Sequence, residues 1–362
     1  LKINFIIPFI GKTGGIAVIL QHARGLRALG HDVAVYYPLL PYRQFLYEEK
    51  SAVRKYLFGQ AKPLLGNLAR YRRRVTWSED APVRPVPWIA AAFLRDADIV
   101  VASAWPTAYG VAKLPPGKGR KFYFIQHYEV WSSDPALVDA SYLLPLSLLT
   151  IAPWLTSLLK EKFGREVAAE IHNGIDIDFF TPPTSRTGLP CSILMMYHEL
   201  EWKGCRFGLA ALEAIHARHP NIPIRLFGIA ARPGVPDYFE YHRDPSPERL
   251  RSLYRAAHIF ISPSLKEGWH LPPMEAMACG CALVATKVGC IPVLDDGMNM
   301  LAAEPGSAEA LEKAMESLIR DPFLLRAMAD RGLGTISRFT WPRATRTLER
   351  NLLDTVSGGK ED

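Results

Sequence analysis

The sequence predicts an α/β protein of two domains, each a doubly wound parallel sheet. Three observations predict it. The chain has 362 residues, more than a single compact core ordinarily takes up. It opens on a strand, a glycine turn, a helix and a second strand, which is a βαβ unit and so the start of a parallel sheet. From residue 191 onward, apolar runs of strand length alternate strictly with amphipathic helical runs.

Taken in order, residues 2–9 are a continuous apolar run of strand length, and Gly11-Lys12-Thr13-Gly14-Gly15 turns the chain into a helix over 16–29 that stops at Gly30. A strand follows at 32–37. Residues 38–88 hold no clear strand and read as a helical insertion. Further strands are expected at 99–102 and 121–126, the second running into Gln126-His127-Tyr128-Glu129. A junction falls at about 170–190, where His172-Asn173-Gly174, Pro182-Pro183-Thr184-Ser185 and Gly188-Leu189-Pro190 read as turn and linker. Beyond it strands are expected at 191–197, 224–227, 259–262 and 281–285. Helices are expected at 204–218, 247–257 and 272–279, with closing helices at 307–320 and 342–353. The expected division is a first domain over 1–172, a linker over 173–190, a second domain over 191–340 and a closing helix over 341–362.

Composition excludes several classes. Hydrophobic content of 49% and charged content of 22% are those of a folded globular chain, and 29 Pro and 26 Gly are scattered rather than gathered into a disordered tract. No run approaches the roughly 20 apolar residues that span a bilayer, and residues 3–8 are too short for a secretory signal, so a cytoplasmic location is expected. The five cysteines are odd in number, confined to the C-terminal half and match no zinc spacing, which predicts buried thiols. Charge is uneven: residues 1–172 carry 22 Lys and Arg against 13 Asp and Glu, and the remainder 21 against 23. Part of the excess lies in Arg70-Tyr71-Arg72-Arg73-Arg74. This basic half reads either as a solvated helix face or as a peripheral contact with the inner face of an anionic membrane or a phosphorylated acceptor; nucleic acid is not expected.

The strongest chemical signal is Ser264-Leu265-Lys266-Glu267-Gly268-Trp269-His270-Leu271-Pro272-Pro273-Met274-Glu275, which continues to Gly280. Glu267 falls in the loop leaving a strand. Glu275 falls in the first turn or so of the next helix, whose start Pro272-Pro273 marks with residues that need no amide donor. The loop can aim backbone N–H groups at an anion while the helix dipole favours negative charge, so a diphosphate fits. The two carboxylates would repel phosphate; each is suited to accept hydrogen bonds from hydroxyls, one on a sugar and one on a ribose.

The string Pro263-Ser264, Glu267-Gly268, Leu271-Pro272, Glu275-Ala276, Ala278 and Gly280 resembles the signature of glycosyltransferase family 4, retaining enzymes of the GT-B fold, in which two Rossmann-like domains face a cleft. Gly14-Gly15, His127, Asn173-Gly174-Ile175-Asp176 and Lys203-Gly204 follow the family's order along the chain. The resemblance spans the whole chain and is strong over 171–297. It implies that Glu267 faces the transferred sugar, Glu275 binds the ribose, Lys203 neutralises the departing diphosphate and His127 approaches the sugar from the first domain. It further implies a donor contact surface of Gly14, Gly15, His198, Lys203, Gly268, Trp269, His270, Leu271 and Glu275. No metal is implied: Asp176-Ile177-Asp178 spells a metal-binding triplet of another fold, but its context is the domain crossing.

The implied partners are a nucleoside diphosphate sugar, with uridine, thymidine or guanosine, and a glycan or lipid-linked saccharide acceptor. The implied setting is bacterial surface polysaccharide assembly. No cofactor is expected, since the nucleotide sugar is itself the donor substrate. Two positions depart from the family. Tyr197-His198 stands where the family has Gly-Arg, and histidine is a weaker anion ligand, so Arg206 or Arg232 compensates or the donor pose differs. Gly268-Trp269-His270 lacks the family's second glycine, which puts an imidazole near the sugar. Alternatives on the same fold are a sugar-nucleotide epimerase or a phosphorylase, and from another class a non-catalytic nucleotide-sugar-binding protein.

Overall fold

The computed structural model describes residues 1–11, 13–40, 83–185, 191–231, 234–288, 294 and 296–357. These form two compact units, one of Leu1–Asn173 with Trp341–Asp362 and one of Gly174–Thr340. The Arg70 to Arg74 cluster, most of the expected helical insertion, Arg232 and Cys290 lie outside the described residues.

The first unit runs β1 (Lys2–Ile6), α1 (Gly14–Ala28), β2 (Asp32–Pro38), β3 (Val83–Val86), β4 (Ile99–Ala102), α2 (Trp105–Ala112), β5 (Arg120–Ile125), α3 (Pro135–Tyr142), β6 (Ser147–Thr150), α4 (Pro153–Phe163) and β7 (Ala169–Glu170). Its sheet has the order β3-β2-β1-β4-β5-β6-β7, every pair parallel. All four residues of β4 are buried, as are the last four of β1, because helices cover both faces of such a sheet. That is why these strands read as unbroken apolar runs.

Three expectations need adjustment here. The strand expected over 2–9 ends at Ile6; the Ile7 N–H still reaches the Tyr36 carbonyl at 2.9 Å, but Pro8 has no N–H to carry the ladder on. Helix α1 begins at Gly14, two residues before its apolar periodicity, because the Thr13 hydroxyl accepts the Ile16 N–H at 3.4 Å. Strand β3 corrects the reading of 38–88 as strandless. Arg84-Pro85 interrupts its apolar run, and an edge strand tolerates proline because one row of its amides has no ladder partner.

The second unit runs β8 (Ile193–Met196), a single 3-10 turn (Glu201–Lys203), α5 (Cys205–Arg218), β9 (Ile224–Gly228), β10 (Glu240–Arg243), α6 (Pro247–Ala256), β11 (Ile259–Ser262), α7 (Leu271–Ala278), β12 (Ala282–Thr286), β13 (Leu301–Ala303), α8 (Ala308–Arg320) and α9 (Pro322–Ile336). Its sheet is again wholly parallel, in the order β10-β9-β8-β11-β12-β13. Ile193 and Met195 of β8, Ile259 and Ile261 of β11 and Val284 of β12 pack with Ala211, Leu212 and Ile215 of α5 in the core. The last helix, α10 (Trp341–Ser357), packs on α1 of the first unit.

Each sheet reverses its direction of growth once, between β1 and β4 in the first unit and between β8 and β11 in the second. At such a switch point the loops leaving adjacent strands diverge to opposite faces and leave a crevice at the carboxyl ends. No described helix is long and apolar enough to cross a membrane.

Candidate active site

The switch point of the second unit is built by two loops that are laced together. The loop after β8 carries Tyr197, His198 and the 3-10 turn that ends in Lys203; the loop after β11 carries Pro263 to His270. The Trp202 carbonyl accepts the N–H groups of Leu265 at 2.7 Å and Lys266 at 3.3 Å. Gly204 follows Lys203 in the left-handed region, with φ of 63°, and a Cβ there would stand 2.0 Å from the Pro263 carbonyl oxygen. Only glycine meets both conditions.

This lacing brings Lys203 onto Glu267. Lys203 Nζ lies 2.7 Å from Glu267 Oε1, and the same oxygen accepts the Ser264 hydroxyl at 2.7 Å and faces His270 Nε2 at 3.0 Å. Glu267 is 7% exposed. Burial by itself would raise its pKa; the charge and hydrogen bond of His270, and then those of Lys203, outweigh burial and hold the carboxyl well below the usual range. The structure therefore gathers three of the expected residues, Lys203, Glu267 and His270, around one carboxylate oxygen.

His270 occupies the N-cap of α7 and turns inward. Its Nε2 is also 2.9 Å from the Ser262 hydroxyl, and the residue is 1% exposed. Trp269 is buried too, with its indole N–H on the Met274 sulfur at 3.0 Å. His270, expected near the sugar, packs beneath the loop, where Ser262, Ser264 and Glu267 supply polar partners. Gly268 is buried in the same loop and Leu271 half-buried at the first position of the helix. Pro272 and Pro273 then remove two of the first amides of α7, so its N-terminus offers an anion its dipole with few N–H donors.

Glu275 sits in the second turn of α7, further along than expected. Its Oε2 accepts the Tyr254 hydroxyl at 2.9 Å. Burial pushes the carboxyl up to about 7, with the Tyr254 bond working in the opposite direction. His198, half-buried in the loop after β8, takes the Leu200 N–H on Nδ1 at 3.1 Å, while its main-chain N–H donates to the Cys205 sulfur at 3.2 Å. Burial and then the Lys203 charge keep its imidazole below its ordinary range, which makes it a poor anion ligand. Arg206 is exposed, 3.6 Å from Glu201 and stacked over Phe207. Asp176 caps a local turn, accepting the Phe179 N–H at 2.9 Å.

In the first unit, Gly14 and Gly15 open α1 beneath the carboxyl end of β1. The Gln126 amide at the end of β5 donates to the Gly15 carbonyl at 3.1 Å, and a Cβ on Gly15 would meet that amide at 3.4 Å. A Cβ on Gly14 would meet nothing within 4 Å. His127, next along, is half-buried with its ring edge-on to Trp131 and Trp154, at centroid separations of 4.2 and 5.5 Å. Its Nδ1 is 3.3 Å from the Tyr128 carbonyl.

Sequence reasoning missed Ser262, Ser264 and Tyr254 as partners of the site. Ser264 lies three residues before Glu267, so this partner is local in sequence. Tyr254 reaches Glu275 from another helix, and nothing local marks it.

Residues 192–321 match a family model described as Glycosyl transferases group 1. The fold of the whole chain is similar to that of sucrose-phosphate synthase from Thermosynechococcus elongatus, with a TM-score of 0.70, 16% identity and 99% of both chains covered. It is equally similar to HepE of Anabaena in complex with UDP and glucose, with a TM-score of 0.71, 14% identity and coverage of 97% and 98%. The fold is GT-B. Among curated proteins, the chain is 32% identical over 123 residues to a D-inositol 3-phosphate glycosyltransferase of Streptomyces bingchenggensis, covering 34% of this chain and 27% of that protein. It is 27% identical over 206 residues to the protein of that name from Corynebacterium jeikeium, covering 49% of each. The chain thus spans between 27% and 49% of the length of these two relatives.

Proposed function

We propose that this protein is a retaining glycosyltransferase that moves a sugar from a nucleoside diphosphate sugar to a glycan or lipid-linked saccharide acceptor in surface polysaccharide assembly. The observation that carries the reading is the Lys203–Glu267 pair, formed at a sheet switch point by loops inside the segment that matches the group 1 model. Resemblance to glycosyltransferase family 4 supplies the finer assignment.

In this reading Lys203 supplies a fixed cation to the diphosphate as negative charge develops on it, and Glu267 accepts hydrogen bonds from ring hydroxyls of the transferred sugar. Low exposure strengthens both interactions and spares them reorganisation during the reaction. Glu275 accepts from the ribose, and Tyr254 holds its carboxylate. His127 is assigned to a donor hydroxyl. The bond from the anomeric carbon to phosphate breaks as the bond to the acceptor oxygen forms on the same face, and the acceptor proton passes to the departing phosphate oxygen. No side chain becomes covalently attached. The basic N-terminal half is assigned to an anionic membrane surface or lipid phosphate.

Incubation with UDP-, TDP- and GDP-sugars, alone and with octyl glycosides as acceptors, tests the reading by phosphorus NMR. Release of nucleoside diphosphate that accelerates with acceptor is the expected result. Interconversion of nucleotide sugars without release would make the protein an epimerase, and the absence of any turnover together with donor binding would make it a binding protein.

A further inference from the structure

The turn that follows β5 is fastened to α2 at two points of one residue. Trp105, first in α2 and 1% exposed, donates its main-chain N–H to Glu129 Oε2 at 3.1 Å and its indole N–H to the Ser132 hydroxyl at 2.8 Å. Ser132 closes the ring, since its hydroxyl and its N–H both reach the Glu129 carbonyl, at 2.7 and 3.0 Å. Ala104, the residue at the N-cap of α2, has no side-chain acceptor to offer, so the Glu129 carboxylate supplies both the oxygen and the negative charge that this helix start favours.

A helix could be capped from within by a single residue change at Ala104. Here the cap comes from 24 residues away, and its effect is to fix the turn that carries His127 and Trp131. Trp131 stands edge-on to His127, Trp154 of α4 approaches the same ring from its own helix, and the Tyr142 hydroxyl of α3 donates to the His127 carbonyl at 3.4 Å. The ring and main chain of His127 are thus set by the same turn that Glu129 and Ser132 anchor.

We propose that Glu129 is a positioning residue for His127, acting through the Trp105–Glu129–Ser132 clamp. The catalytic consequence rests on the assignment of His127 to the donor sugar; the clamp itself does not. Among the described residues, Tyr142 on α3 and Tyr123 on β5 interact with the Glu129 carboxyl, and His127 and Tyr128 precede it in the same turn, with Tyr128 in turn held by Lys162 of α4 and Asp139 of α3. Burial lifts the Glu129 carboxyl to about 7, against the pull of the Trp105 amide. The clamp therefore changes charge across the neutral range, fully charged only well above pH 7 and uncharged only well below it.

The test uses the whole chain with its eight tryptophans replaced by 5-fluorotryptophan, the Trp131 fluorine resonance being identified by W131F. The wild-type resonance should move through a step near pH 7 that E129Q abolishes. S132A, which breaks the other anchor and leaves the carboxylate in place, should shift the resonance at all pH values. E129Q should also lower turnover of nucleotide sugar tenfold or more while nucleoside diphosphate affinity stays within twofold. A step that persists unchanged in E129Q arises from another group and overturns the proposal, as does an S132A resonance identical to wild type. Wild-type protein without turnover would overturn the function proposed above, and the fluorine resonances would still decide the clamp.

Discussion

Gly204 and Pro263 approach so closely that a Cβ on the glycine would stand 2.0 Å from the proline carbonyl oxygen. That contact locks the two loops of the second unit into the register that puts Lys203 on Glu267. Gly204→Ala must therefore push the loops apart as well as hold alanine at φ of 63°, and the conformation alone costs about 1–2 kcal/mol. We expect a lower melting temperature and weaker nucleoside diphosphate binding together. A variant that keeps both would show that the loops have slack and that their register does not set the site.

A second close approach holds α10 to the first unit. A Cβ on Gly25 of α1 would lie 2.6 Å from the Thr345 hydroxyl oxygen. Gly25→Ala should destabilise the protein although alanine is the better helix former by about 1 kcal/mol. Pairing it with Thr345→Ala should recover part of the loss, since the clashing atoms go. Thermal unfolding of the two single variants and the double variant measures the coupling; additive losses would mean that α10 does not rest on that contact.

Two carboxyls set a pH dependence of stability. Burial raises Glu129 and Glu275 each from 4.5 to about 7. Between these values the unfolded chain has released these two protons while the folded chain keeps them, so the contribution of the two groups to stability falls as pH rises through the window, opposite in sign to that of His22, which burial lowers to about 3. The cost is fully present above about 7 and absent below the unfolded value. Glu275→Gln should flatten the decline by something on the order of 1–3 kcal/mol. Urea unfolding of both proteins at pH 4.5 and 7.5 reads the difference directly, and parallel declines would mean that Glu275 ionises normally.

Much of this was legible because it is local. Residues 259–262 read as a strand and Ser264 to Gly280 as a loop and helix because each signal lies within one stretch of chain, and the alternation after residue 191 yields a parallel sheet. What escaped depends on partners that only the fold supplies. Tyr254 reaches Glu275 from 21 residues away and Trp105 reaches Glu129 from 24, with no periodicity to announce either pair. The two-residue strand β7 is too short for a pattern, and β3 hides its strand character behind Arg84-Pro85. His270 illustrates a different gap: sequence places the residue in the loop but does not say which way its ring turns, and the polar partners that draw it inward are Ser262, Ser264 and Glu267.

Stereochemistry tests the assigned chemistry. His127→Ala and Glu267→Ala should each lower turnover more than nucleoside diphosphate affinity, because both are assigned to the sugar and neither to base or phosphate. Proton NMR of the first-formed product should show the donor's anomeric configuration. Inversion would contradict the assignment of a retaining mechanism, and a trapped glycosyl-enzyme would contradict same-face attack alone.

Calorimetric titration of UDP, TDP and GDP into wild type and Lys203→Ala tests most directly whether the carboxyl end of the second unit's sheet holds a nucleoside diphosphate through Lys203. A charge-assisted contact of about 1.5–3 kcal/mol predicts that at least one of the three binds wild type and binds the variant about tenfold to a hundredfold more weakly. No binding to wild type, or equal affinity for both proteins, would contradict it.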